Sequence, residues 1–246
     1  MNVVILGATK GMGRALARLC AEKGDRLFLL GREEADLERS AADLRVRGSE
    51  GSVVGVARCD LESRDTFAPA LASAKQLLGR VDAVVVTAGL FGTQQQMEDD
   101  LDLTERILTV NFVSTVLFCE EARKLLLSQG GGTLCVFGSV AGDRPRKPVV
   151  LYGASKAGLA AYLTGLDHKY YDAGLRVICV RPGFVKTAMT QGLKPPPFAG
   201  EPTDVARDVR AALLHPRPVV YTPLVWEVVM TAISLLPRAV MRKINF

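Results

Sequence analysis

Histidine is nearly missing from this chain: of 246 residues only His168 and His215 are imidazoles, and neither stands at a metal-ligand spacing from a cysteine. No metal site is expected. The five cysteines (Cys20, Cys59, Cys119, Cys135, Cys179) are odd in number and far apart, which argues against a disulfide framework. Four of them sit in apolar surroundings and read as buried, reduced thiols. No basic stripe with interleaved aromatics occurs. The net charge of +5 is scattered, apart from Arg144-Pro145-Arg146-Lys147 and a late Arg238, Arg242, Lys243 set, so nucleic-acid binding is not expected. Met1-Asn2 leads into an apolar run without a charged n-region or cleavage site, so no signal peptide is expected and the compartment reads as cytoplasmic. There is no linker and no internal repeat.

What is present is an ordinary globular composition, 48% hydrophobic and 23% charged, at a length that suits one large α/β domain over residues 1–246. Short apolar, β-branched runs recur: Val3–Leu6, Arg26–Leu30, Val53–Cys59, Ala83–Val86, Gly132–Phe137, Leu175–Val180 and Val219–Tyr221. Such runs suit strands buried on both faces. Helical patterns separate them, at Arg14–Lys23, Glu34–Arg47, a long stretch over 101–128, a helix carrying Tyr152 and Lys156 through Tyr171, and Val205–Leu214. The expectation is a Rossmann-type, doubly wound sheet of about seven mostly parallel strands with helices on both faces.

The stretch from Ser139 to Lys156 carries the candidate chemistry. A phenol titrates near ~10, so it needs help to exchange a proton at neutral pH. Lys156 lies four residues after Tyr152, on one helix face, where an ammonium would favour the phenolate and lower the tyrosine pKa. Ser139, on the loop before, can hydrogen-bond the same substrate oxygen. A lone Tyr and Lys at this spacing are common surface residues, so the glycine-rich start of the chain decides the weight. After the first strand comes Gly7-Ala8-Thr9-Lys10-Gly11-Met12-Gly13 and then a helix. Strand, glycine turn and helix N-terminus together can cradle a pyrophosphate, and a plain tight turn is the bland alternative.

The second strand ends at Gly31-Arg32, where a carboxylate would accept the adenosine ribose hydroxyls and repel a 2′-phosphate. Arg32, with Lys10, favours NADP(H) instead; a solvated arginine is the alternative. Glu33 and Glu34 read as the start of the next helix. Asp60-Leu61 closes the third strand, and Asp60 either accepts from an adenine amino group or caps a helix from Glu62 onward. Thr87-Ala88-Gly89 is the turn after the fourth strand. Asn111 lies in an apolar stretch and either braces a neighbouring backbone or holds water in a proton path. The sixth strand runs into Arg181-Pro182-Gly183-Phe184-Val185-Lys186-Thr187, and residues 188–203, rich in Pro and Gly, read as a mobile substrate loop.

Taken together, the Gly7/Gly11/Gly13 loop, Asp60, Ala88-Gly89, Asn111, Ser139, the Tyr152-to-Lys156 motif and Pro182-Gly183 with Thr187 make the chain resemble the short-chain dehydrogenase/reductase family over nearly its whole length. The resemblance implies an oxidoreductase with Tyr152 as general acid/base and Ser139 polarising the carbonyl. It also implies that Lys156 holds the nicotinamide ribose and lowers the tyrosine pKa, and that Asn111 serves a water-linked proton relay. Pro182, Gly183, Val185 and Thr187 would meet the nicotinamide end. Thr87 stands where the family usually has asparagine, which implies altered adenosine contacts rather than lost binding. Homodimers or homotetramers are implied through the Asn111 and Tyr152 helices, although core packing explains their apolar residues equally well. A narrower similarity, in Tyr152–Leu159, Arg181-Pro182-Gly183 and Leu236-Pro237-Arg238 to Arg242-Lys243, is to bacterial reductases of a polyprenyl-phosphate-linked 2-keto pentose. A 3-oxoacyl or steroid-like ketone is the alternative substrate. A non-catalytic dinucleotide-binding regulatory protein is the alternative of another class.

The segment 223–246 is apolar and then basic. Val225–Leu236 is too short for a span, which takes ~20 apolar residues. It either lies at a membrane interface, with Trp226 at the headgroups and cations on anionic lipid, or packs over the substrate pocket or a subunit interface. The second is favoured, because apolar helices in soluble enzymes usually cover core.

Overall fold

In a computed structural model describing residues 1–49 and 52–244, the seven expected strands form one parallel sheet. They are β1 (Asn2–Leu6), β2 (Arg26–Gly31), β3 (Val54–Arg58), β4 (Ala83–Val86), β5 (Gly132–Phe137), β6 (Leu175–Pro182) and β7 (Val219–Thr222), in the order β3-β2-β1-β4-β5-β6-β7. Every pairing is parallel, with Val4 opposite Phe28 on one side and Val84 on the other. Both faces of each inner strand are covered, which is why the strands read as unbroken apolar runs instead of alternating ones.

Helices α1 (Gly11–Glu22), α2 (Glu34–Arg47) and α8 (Pro202–Leu214) close one face over Ile5, Leu29, Val85 and Ile178. On the other face α3 (Phe67–Leu78), α6 (Thr115–Ser128) and α7 (Val150–Tyr170) bury Val4, Phe28, Val84 and Val177. The chain winds outward from β1 to β3, then returns to β4 beside β1. The open crevice of such a sheet lies at this reversal, beyond the carboxyl ends of the strands.

Two short elements escaped sequence reading, α4 (Gln94–Asp99) and the division of the 101–128 stretch. That stretch is α5 (Leu101–Leu108), a π-helical segment Thr109–Ser114, then α6, so it is not one continuous α-helix. The widened turn holds buried Asn111, and π segments concentrate at functional sites. The apolar C-terminal run is α9 (Val225–Leu235), followed by α10 (Arg238–Met241); Asn245 and Phe246, the end of the 223–246 tail, lie outside the described residues. By length and composition Lys147–Tyr170 could cross a bilayer, but α7 packs one face on β6 and buries Lys156 there.

Candidate active site

β1 ends in a loop whose shape depends on glycine. Gly7 takes φ +95°, and a Cβ on Gly13 would lie 2.2 Å from the Gly7 carbonyl oxygen. The helix therefore approaches the strand end as closely as backbone allows. Lys10, the residue before α1, makes no side-chain cap, so the first-turn N–H groups of α1 remain available to an anion. Thr87, at the end of β4, places its hydroxyl 3.1 Å from the Leu6 carbonyl and 3.0 Å from that of Gly7. The residue expected to change adenosine contacts thus acts as a tie across the switch point.

Around this loop opens a cleft of about 300 Å³. The expected residues Gly7, Thr9, Lys10, Gly11, Met12, Gly13, Arg32, Asp60, Leu61, Thr87, Ala88, Gly89 and Thr187 all line it. The shape and the donor set fit an extended, anionic dinucleotide. Val185 does not line the cleft: its side chain is buried in the core. Asp60 does not cap a helix beginning at Glu62, because α3 starts only at Phe67; one carboxylate oxygen instead accepts from the Glu62 N–H at 3.0 Å.

Sequence reasoning missed Glu62. Arg106, on α5, grips its carboxylate at 2.7 and 2.8 Å, and Arg32 approaches at 3.3 Å. Hydrogen bonds from Arg106 hold the Glu62 carboxyl below its ordinary value. Lys10 reaches toward Asp36 at 3.9 Å. Both candidate 2′-phosphate cations thus line the cleft next to carboxylates.

Further along, α7 lies tightly on the turn Val140–Gly142 that follows Ser139. A Cβ on Gly142 would come 2.7 Å from the Lys156 carbonyl carbon, and one on Gly153 would come 2.8 Å from the Ala141 oxygen. Small residues on both surfaces bring Ser139 close enough to Tyr152 to favour its ionised form. The Ser139 Oγ also accepts from the Ala141 N–H at 3.1 Å. Phe91 packs edge-on to the Tyr152 ring, centroids 5.2 Å apart.

Lys156 Nζ lies 5.9 Å from the centre of that ring and donates to the Phe137 carbonyl at 3.0 Å. The expectation that Lys156 lowers the tyrosine pKa does not hold in this form. Burial pushes the phenol up to about 12, and Ser139 beside it offsets only part of the rise. Burial likewise pulls Lys156 down to about 8. Desolvation of the buried ring is the largest influence on the phenol.

Gly89 joins the two halves. It lines the cleft, and a Cβ there would lie 3.0 Å from Asn111 Oδ1 and 3.8 Å from Lys156 Nζ. Asn111 spends its amide on Leu90, accepting from its N–H and donating to its carbonyl, both at 2.8 Å. This is the bracing role weighed above.

A half-buried polar cluster, also unseen in the sequence, joins the turn after Ser139 to β6 and β7. Asp143 Oδ1 is 3.0 Å from Arg181, which donates to the Tyr221 hydroxyl at 2.9 Å, and that hydroxyl donates to Asp143 Oδ2 at 3.0 Å. Burial pushes Asp143 up against the opposing pull of Arg181. Three strand ends are linked in this way. Gly183 is covered: Trp226 of α9 lies on it, so Trp226 does not stand free for lipid headgroups. All five cysteines are buried and unbridged. Among the described residues no cluster could hold a metal ion.

A parallel sheet with a glycine loop at its switch point, a cleft around that loop and a Ser–Tyr–Lys set beside the cleft residue Gly89 defines a Rossmann-type oxidoreductase. Comparison with known proteins agrees. The short chain dehydrogenase family profile matches residues 1–197. An uncharacterised oxidoreductase of Mycobacterium tuberculosis is 33% identical over 241 residues, covering 98% of this chain and 96% of its own. Carbonyl reductase family member 4 of Xenopus laevis is 29% identical over 220 residues, covering 86% of this chain and 90% of its own. The crystal structure of levodione reductase shares the fold, with a TM-score of 0.80 at 23% identity over 89% of this chain and 94% of that one. The chain belongs to the short-chain dehydrogenase/reductase family, whose members use a nicotinamide dinucleotide.

Proposed function

We propose that this protein is an NADP(H)-dependent carbonyl reductase acting on a hydrophobic ketone or aldehyde. The observation that carries the reading is the grouping of Tyr152 with Lys156, whose Nζ lies 5.9 Å from the ring centre, beside Gly89 of the cleft wall and with Ser139 acting on the phenol. The bound dinucleotide supplies the hydride. Ser139 and Tyr152 hold the carbonyl oxygen, and Tyr152 gives it a proton. With its pKa raised to about 12, the phenol is protonated at neutral pH and suited to donate. Lys156, lowered only to about 8, remains mostly charged and stabilises the phenolate left behind. Asn111, by bracing Leu90, keeps the cleft wall in place.

The preference for NADP(H) rests on Arg32 and Lys10 in the cleft. Phe91 beside Tyr152 and the exposed Met189 and Phe198 on the 188–203 segment support a greasy substrate and a substrate-loop role for that segment. With the narrower sequence similarity, a lipid-linked keto-sugar is the first substrate to try. Exposed Leu101, Phe112 and Val113, beside a small-residue face of Ala154, Ala157, Ala161 and Gly165 on α7, support a homo-oligomer built on these helices.

The test is a fluorescence titration of NADPH against NADH with wild type and Arg32→Ala, followed by turnover of a ketone panel. NADPH preference that falls at least about tenfold in Arg32→Ala supports the cofactor assignment. Tyr152→Phe should keep NADPH binding and lose about 10²-fold or more in kcat. Turnover retained by that variant contradicts the mechanism.

A further inference from the structure

α9 is apolar on two opposite sides, and only one side is packed. Trp226, Met230 and Ile233 turn inward, with Met230 fully buried and Trp226 on Gly183. The other side carries Leu224, Val228, Ala232 and Leu235, spaced at four, four and three residues as one helical stripe. Leu224 is 65% exposed, Val228 72% and Leu235 80%. A helix apolar all round normally has both sides covered. Among the described residues nothing covers this one, and Val240 and Val150 extend the exposed apolar surface.

The chemistry around the stripe identifies what covers it. Arg238, Arg242 and Lys243 follow on α10 and just beyond, all exposed. Met241 and Ile244 line a small depression together with Arg146, Lys147 and Val150. Arg144 donates to the Leu236 carbonyl at 2.7 Å, which holds this basic segment against the tail. Six cations therefore collect at one end of the molecule. Carboxylates are scarce there: Glu227 is the single acid between Leu224 and Ile244, and Asp143 is taken up by Arg181. A second copy of the chain on this face would set six cations against six. An anionic bilayer matches both features, taking the apolar stripe among its acyl chains and the cations at its headgroups.

We propose that α9 and α10 dock the protein on an anionic lipid surface. The same helix lies on Gly183, so docking turns the mouth of the active site toward the bilayer. The catalytic reading is not required for this inference, since docking is measured without turnover and holds whichever ketone is reduced.

The experiment is co-sedimentation of the full chain with vesicles of phosphatidylcholine alone or mixed with phosphatidylglycerol. Partitioning onto the mixed vesicles is expected to be at least about tenfold greater and to weaken with salt. Arg242→Gln/Lys243→Gln should cut it by roughly tenfold or more, and Val228→Ser/Leu235→Ser should do the same. All four residues are exposed and away from the cleft, so NADPH binding and thermal unfolding of both variants should match wild type. Equal partitioning onto the two vesicle types overturns the proposal, as does full binding by both variants. A fall in solution mass on Val228→Ser/Leu235→Ser would assign the stripe to a second copy and equally overturn it.

Discussion

The indole of Trp226 lies so close to Gly183 that a Cβ there would stand 2.0 Å from Nε1, while the same nitrogen reaches the Phe198 carbonyl at 3.4 Å. One side chain from the tail thus touches both the end of β6 and the segment flanking the active site. Gly183→Ala should expel the indole. Trp226 is the chain's single tryptophan, so the change reads out directly as a red-shifted emission. A stability loss of about 1–3 kcal/mol is expected, in the range of overpacking. Unchanged emission would mean that the indole is not seated on Gly183.

Thr87→Val keeps the shape and removes the hydroxyl that spans the Leu6 and Gly7 carbonyls. We expect about 1 kcal/mol lower stability by chemical denaturation, with NADPH affinity reduced a few-fold because the glycine loop loses its tie. Wild-type stability would show that the hydroxyl contributes nothing there.

Glu62 should tune the cofactor choice. With Glu62→Gln, Arg32 is released from a competing carboxylate, and the NADPH-over-NADH preference should rise several-fold. Arg106→Leu should do the reverse, leaving Glu62 to pair with Arg32 alone. Parallel titrations of both variants decide it, and equal shifts of one sign would break the argument.

Lys156 gives a pH signature. Its folded-state pKa lies near 8, below the ordinary lysine value of 10.5, so between these values the unfolded chain binds more protons and stability rises with pH. Below about 8 the native state carries a buried ammonium. Lys156→Met removes that cost, amounting to about 3 kcal/mol at most. The unfolding temperature of the variant minus that of wild type should therefore be larger at pH 7 than at pH 10. Using the difference cancels the buried thiols, such as Cys59 raised to about 12, whose effect has the opposite sign above their ordinary value. A pH-independent difference would refute the depressed pKa.

The sheet was legible because strands buried on both faces leave unbroken runs such as Val3–Leu6 and Ala83–Val86, with glycine turns to mark their ends. The cleft was legible for the same reason: backbone sterics at Gly7 and Gly13 force a residue type. The π segment left no trace, since shifting a hydrogen bond by one residue changes no side-chain requirement, and Asn111 marked the position without revealing its cause. Glu62 and the Asp143–Arg181–Tyr221 cluster depend on partners about 40 residues or more away, which spacing cannot convey. The tyrosine pKa is not legible in one dimension, because spacing shows the nearby charge and not the lost water.

Arg144 leaves the Ser139 turn to hold the Leu236 carbonyl, while Trp226, ten residues earlier in the tail, sits on the end of β6. The tail is therefore pinned at two points, one beside the serine turn and one at the end of β6, like a brace bolted across a joint. A change at α9 therefore has two contacts through which to reach the site residues, the Arg144 tie to the serine turn and the Trp226 seat on Gly183.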